Sequence, residues 1–252
     1  MNDEATDGDI PAFFESLGIP HLHGLEEAFA ALPDRDMVAE WRRTEKRGSR
    51  DERLAFAYGR GDIVRLLMGS DFHRIVEVAW LLAQLPEPSG SRILDIGGGP
   101  GHLALWMTRC WRSATVTVMD RIASAVAQEW TGALPSSGIR FVDGDLPGNL
   151  TAVAGQQFDR VVLAYVVAQD EKENRRANLR PIFQRAMRAL GPLVAKGGDL
   201  VVIDHFYPKD TKISQAIVNA STEAGFSDKG VKGWRGARKQ HTAWQLRILQ
   251  RG

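Results

Sequence analysis

The segment that most constrains this chain is Ile93-Leu-Asp-Ile-Gly-Gly-Gly-Pro-Gly101. An apolar β-type run, Arg92–Ile96, ends in a glycine cluster, and a helical pattern carrying Leu103, Leu105, Trp106 and Cys110 opens on Pro100. Strand, glycine loop and helix in that order begin a parallel β/α unit. The loop backbone can turn sharply and approach a ligand unhindered by Cβ atoms. Four more apolar runs follow, at Thr115–Met119, Ile139–Val142, Arg160–Leu163 and Asp199–Ile203. Helical patterns lie between or after them, including Arg175–Leu190, ended by Gly191-Pro192, and Lys212–Ala224, stopped by Gly225. Short, nearly all-apolar strands alternating with helices predict an α/β fold, a mostly parallel sheet with helices on both faces.

Both ends of the chain depart from that pattern. Trp244, Leu246 and Ile248 alternate with Gln245 and Arg247, which predicts a half-exposed antiparallel strand with 227–234 as its hairpin partner. Residues 1–88 read as a helical cap, with stripes at Leu25, Phe29 and Leu32, at Met37, Val38 and Trp41, and from Ile63 to Leu82. Pro86-Glu-Pro-Ser-Gly90 links the cap to the sheet domain, taken as 89–252.

Charge and cysteine content narrow the function. The formal net charge of +1 gives no overall pull on a polyanion. The basic residues near the C-terminus (Lys229, Lys232, Arg235, Arg238, Lys239, Arg247 and Arg251) read as a solvated hairpin, so no nucleic-acid partner is expected. No apolar run approaches the roughly 18 residues of a membrane span, and a soluble cytoplasmic protein without a membrane partner is expected. The single cysteine, Cys110, excludes an internal disulfide and a cysteine metal cluster.

Glycine spacing separates two kinds of cofactor. A nicotinamide dinucleotide loop requires Gly-x-Gly-x-x-Gly. Counting from Gly97 the third glycine falls on His102, and counting from Gly98 the second falls on Pro100. The spacing present is Asp95-x-Gly97-x-Gly99-x-Gly101. The second strand ends at Asp120 and the third runs to Asp145, 25 and 50 residues after Asp95. Three strand tips therefore supply acids along the rim where open α/β sheets bind ligands. Taken singly, each acid also reads as a cap: of the loop, of the next helix, or of a turn before Pro147-Gly148.

Together these features resemble the first motifs of the Rossmann-like (class I) S-adenosylmethionine (SAM)-dependent methyltransferases. The resemblance implies that Asp95, Gly97, Gly99 and Gly101 wrap the methionine part of SAM. It implies that Asp120 with Arg121 serves the ribose, that Asp145 with Leu146 serves the adenine, and that Ala164 completes the cofactor set. Within that family, Met68-Gly-Ser-Asp-Phe-His73 and Gly197-Gly-Asp-Leu-Val-Val-Ile-Asp204 look like the small-molecule O-methyltransferases, over roughly residues 60–207. The implied activity is methyl transfer from SAM to an oxygen or nitrogen (or carbon) of a small, natural-product-like molecule, leaving S-adenosylhomocysteine. Met68, His73 and Trp80 are the implied substrate residues.

Two departures qualify the likeness. The N-terminal part is too short for the family's dimerisation domain, although caps in similar enzymes exchange between subunits and a homodimer is expected. Ala168 stands where the family carries its catalytic histidine. A base is needed only where the acceptor must lose a proton, and His205 and Tyr165 are the catalytic candidates. The missing histidine also suits a SAM-binding protein that has lost methyl transfer or catalyses another reaction. A nucleic-acid methyltransferase fits less well, because Leu163-Ala-Tyr-Val-Val lacks the Asn-Pro-Pro-aromatic segment of amino-directed enzymes. No metal is assigned: the spacing of Asp143, Asp170, Asp204 and His205 does not demand one.

Overall fold

The computed structural model describes residues 9–126, 130, 138–164, 179–206, 211–234 and 243–252. The cap contributes α1 (Asp9–Ser16), α2 (Leu25–Ala31), α3 (Arg35–Arg47), α4 (Arg50–Tyr58), α5 (Gly61–Ser70) and α6 (Phe72–Ala83). Local chemistry sets their starts. Asp34 caps α3 by accepting from the amides of Asp36 and Met37, and Ser49 and Glu52 form a capping box on α4.

Next come β1 (Arg92–Ile96), α7 (His102–Cys110), β2 (Thr115–Asp120), β3 (Ile139–Asp143) and β4 (Phe158–Ala164). They are followed by α8 (Leu179–Leu190), β5 (Val194–Phe206), α9 (Thr211–Glu223), β6 (Phe226–Trp234) and β7 (Ala243–Arg251). The seven strands form one sheet in the order β3-β2-β1-β4-β5-β7-β6, with β7 antiparallel to both its neighbours and the other described pairs parallel. This is the Rossmann-like sheet with an antiparallel C-terminal hairpin that the sequence predicts. Strand order reverses between β1 and β4, and ligands of open α/β sheets bind at such a crevice.

Several boundaries move: β3 stops at Asp143, short of Asp145, which instead bridges to Asn149 in the following turn, and two further shifts have clear physical reasons. Helix α7 begins at His102 rather than Pro100, because Gly101 adopts φ 81° as its cap. Strand β5 starts at Val194, five residues before the apolar run: Lys196-Gly-Gly198 interrupts the pattern, but Val194 still pairs with Phe158 across an irregular register.

Strand alternation sends side chains to two cores. Ile93, Val116, Val118, Val162, Val201 and Ile203 join α1, α6 and α7 on one face; Leu94, Ile96, Val161, Leu163, Leu200 and Val202 join α8 and α9 on the other. A third, smaller core lies wholly in the cap and includes Phe29, Leu32, Val38, Trp41, Phe56 and Ile63. The cap is thus partly built into the main core, through α1 and α6, and partly self-packed. Buried Arg160 staples the start of β4: it pairs with Asp199 of β5 at 2.9 Å, donates to the Pro86 carbonyl at 2.8 Å and lies over Trp111. Among the described residues no helix is long and apolar enough to cross a membrane.

Candidate functional site

Strand β1, buried from Ile93 to Ile96, delivers the chain to the glycine loop at the switch between β1 and β4. Gly97, Gly99 and Gly101 adopt φ of 71°, 53° and 81°, the left-handed region that side chains with a Cβ resist. Gly98 is needed for another reason: a Cβ there would lie 2.4 Å from Asp95 Oδ2. The loop is pinned by hydrogen bonds from Gly97 N to the Met119 carbonyl (2.7 Å), from Gly99 N to Asp120 Oδ2 (3.1 Å) and from Trp130 Nε1 to the Pro100 carbonyl (2.7 Å). Side chains crowd it from either side. A Cβ on Gly101 would meet the Phe141 ring at 2.7 Å, and one on Gly99 would meet the Tyr58 hydroxyl oxygen at 2.7 Å.

The three acids differ in environment. Asp95 is fully buried, with neither carboxylate oxygen hydrogen-bonded, and burial followed by the nearby Asp120 charge pushes its pKa up to about 7. Asp120 is half-buried; besides Gly99 it accepts from Ile122 N at 3.2 Å. Asp145 is exposed, and its backbone exchanges two 2.8 Å hydrogen bonds with Asn149. Arg121 stands between them and the cap, with Nη2 2.9 Å from Asp51 of α4 and Nε 4.0 Å from Asp145. Leu146 is half-buried on the second core, and Ala164, at the tip of β4, pairs with Ile203.

Such a site selects by charge as well as shape. Carboxylates on β1, β2 and the segment after β3 repel a pyrophosphate and favour a ligand carrying positive charge and hydroxyl donors. SAM meets this description: it has a sulfonium, an ammonium and ribose hydroxyls, and no phosphate. The orphaned Asp95 carboxylate, which needs a donor or a cation, and a loop shaped by missing Cβ atoms both fit that group. Asp95 and the glycines would hold its methionine part and Asp120 its ribose.

The remaining sequence candidates fall as follows. His205 lies on β5 in register with Trp244, two residues past Ile203, the partner of Ala164. Tyr165, Ala168 and Asp170 lie outside the described residues. Met68 is built into the main core, His73 is exposed on α6, and Trp80 packs half-buried against that core. The Met68-Gly69 motif has a packing role, since a Cβ on Gly69 would collide with the Pro20 carbonyl at 2.5 Å. His102 sits beside Phe14 with Nδ1 enclosed, and burial lowers its pKa to about 4, so it is neutral. Asp143 accepts from Ser124 N at 2.8 Å, and among the described residues no three potential metal ligands cluster.

Sequence reasoning missed Tyr58, Asp51, Phe141 and Gly98. Only Gly98 had a visible signal, as the odd glycine within Gly97-Gly-Gly99. The others reach the loop through tertiary packing that no spacing records.

A family model described as methyltransferase small domain matches residues 77–226, more than half of the chain. The release factor glutamine methyltransferase of Salmonella typhimurium is 29% identical over 184 residues, which cover 65% of this chain and 61% of that protein, so the chain spans less than two thirds of this relative's length. An O-methyltransferase family protein from Burkholderia thailandensis superposes with a TM-score of 0.60 at 15% identity, over 96% of this chain and 82% of that one. The N-methyltransferase NodS from Bradyrhizobium japonicum, in complex with S-adenosylhomocysteine, gives 0.51 at 17% identity, over 78% and 96%.

Proposed function

The chain belongs to the methyltransferase small domain family, a SAM-dependent one, and from that premise we propose that it methylates an oxygen or nitrogen of a small molecule. The observation that carries the cofactor half is the loop itself. It holds three left-handed glycines, its Gly98 backbone lies against the buried, unpartnered Asp95, and its Gly99 amide is tied to Asp120. When bound, SAM supplies a methyl group activated by its sulfonium for in-line displacement. The chain's task is then alignment and exclusion of water.

The acceptor half rests on the cap. Helix α4 meets the loop at Tyr58 and Arg121 through Asp51, and in this reading the cap closes over the cofactor site. A roofed site favours an acceptor small enough to be enclosed. In this reading residues 1–88 cover the substrate and 89–252 hold the cofactor, with His205 as the base for acceptors that must lose a proton.

A second reading is a glutamine side chain of a protein as the acceptor, favoured by the Salmonella relative's name. Incubating the protein with methyl-labelled SAM, and either a panel of phenols and amines or glutamine-bearing peptides, separates the two. Label on a panel member and none on peptide is the expected result. Label on peptide alone overturns the small-molecule proposal.

A further inference from the structure

Helix α4 touches the cofactor rim at both ends. Near its start, Asp51 Oδ1 lies 2.9 Å from Nη2 of Arg121, the residue after Asp120. At its end, the Tyr58 hydroxyl lies against Gly99, 2.7 Å from where a Cβ would stand. The next residue, Gly59, faces the Ala125 carbonyl, which a Cβ would approach at 3.5 Å. Tyr58 is half-buried and packs against both the main core and the cap core, so its ring is anchored on two sides while its hydroxyl reaches the loop.

The chemistry of that hydroxyl matters because of what surrounds it. Asp95 and Asp120 suit the cationic groups and hydroxyls of SAM, but they repel its carboxylate. A carboxylate held beside them needs neutral or positive donors, and a phenol O–H is a neutral donor. We propose that Tyr58 is a cofactor-binding residue, its hydroxyl donating to the carboxylate of SAM's methionine part, with the Asp51–Arg121 pair holding α4 in place. This rests on the SAM reading above. The pair is half-exposed on both sides, so it works as a weak catch that lets α4 lift for exchange of cofactor and product.

The test uses the full chain and two probes. S-adenosylhomocysteine carries the amino-acid part and 5′-methylthioadenosine lacks it. Tyr58→Phe keeps the ring and both core contacts, and its thermal melt should match wild type. Calorimetry should show about tenfold weaker S-adenosylhomocysteine binding in Tyr58→Phe, with 5′-methylthioadenosine affinity unchanged within about twofold. Asp51→Asn should raise the S-adenosylhomocysteine dissociation rate, followed by stopped-flow tryptophan fluorescence, by about threefold. Unchanged S-adenosylhomocysteine affinity in Tyr58→Phe, or equal weakening of both probes, overturns the role of Tyr58. An unchanged rate in Asp51→Asn overturns the catch. A wild-type protein that binds neither probe instead overturns the SAM reading itself.

Discussion

Asp95 is buried without a partner beside a second carboxylate, so its ionised form is disfavoured in the folded protein. The unfolded chain releases that proton near pH 3.8, whereas the folded protein holds it to about pH 7. Below the lower value both states are protonated and ionisation costs nothing. Between the two values the folded state binds more protons, so stability falls as pH rises, by on the order of 4 kcal/mol across the window. The melting temperature of ligand-free wild type should therefore drop relative to Asp95→Asn between about pH 4 and 7 and run parallel to it above. Parallel curves throughout would contradict the burial argument. Cys110 offers an independent check: burial pushes its thiol up to about 12. Its reaction with a disulfide reagent at pH 8 should be at least about a hundredfold slower in the folded than in the unfolded protein. At this scale the sequence showed Asp95, Asp120 and the alternate glycines, because their spacing follows the strand and loop. It did not show that Asp95 would be wholly enclosed, since the enclosure depends on how Gly98 and Val118 pack around it.

The strands were legible because β1, β2, β4 and β5 carry buried residues on both faces and so read as apolar runs, while β3 keeps a short run of half-buried Ile139, Phe141 and Val142. The start of β5 was not, since Gly197 and Gly198 sit at a register irregularity rather than at an end. The Arg160–Asp199 pair was equally hidden: an arginine in an apolar run looks like a boundary, yet it is the buried staple between β4, β5 and the linker. Asp199→Ala would leave the Arg160 charge buried without its partner. The loss should be about 3 kcal/mol, the lower end for such pairs because Asp199 keeps 23% of its side-chain surface. Chemical denaturation measures it. Arg160 lies level with Ile93 at the start of β1, at the other end of that strand from the glycine loop, so S-adenosylhomocysteine affinity should stay unchanged. A large loss of affinity would mean that the sheet transmits strain to the loop.

The whole molecule joins a sheet domain to a cap with its own small core. Trp41, fully buried and edge-on to Phe29 at 4.8 Å, is the largest side chain of that core. Trp41→Ala should destabilise it by about 3–5 kcal/mol. Hydrogen exchange should show protection lost in α2 to α5 and retained in β1 and β4, and uniform loss would mean the cap is no separate unit. The cap stripes were visible in sequence, but their destination was not: periodicity gives each helix an apolar face without naming its partner. That is why Tyr58, which touches both cores and the loop, escaped notice. The central claim is that this loop and its acids hold SAM, and calorimetric titration of wild type and Asp120→Ala with SAM, S-adenosylhomocysteine and NAD tests it most directly. Saturable binding of both sulfur compounds, no response to NAD, and a loss of about tenfold or more in the variant are predicted. Binding of NAD without either sulfur compound, or full affinity in Asp120→Ala, would contradict it.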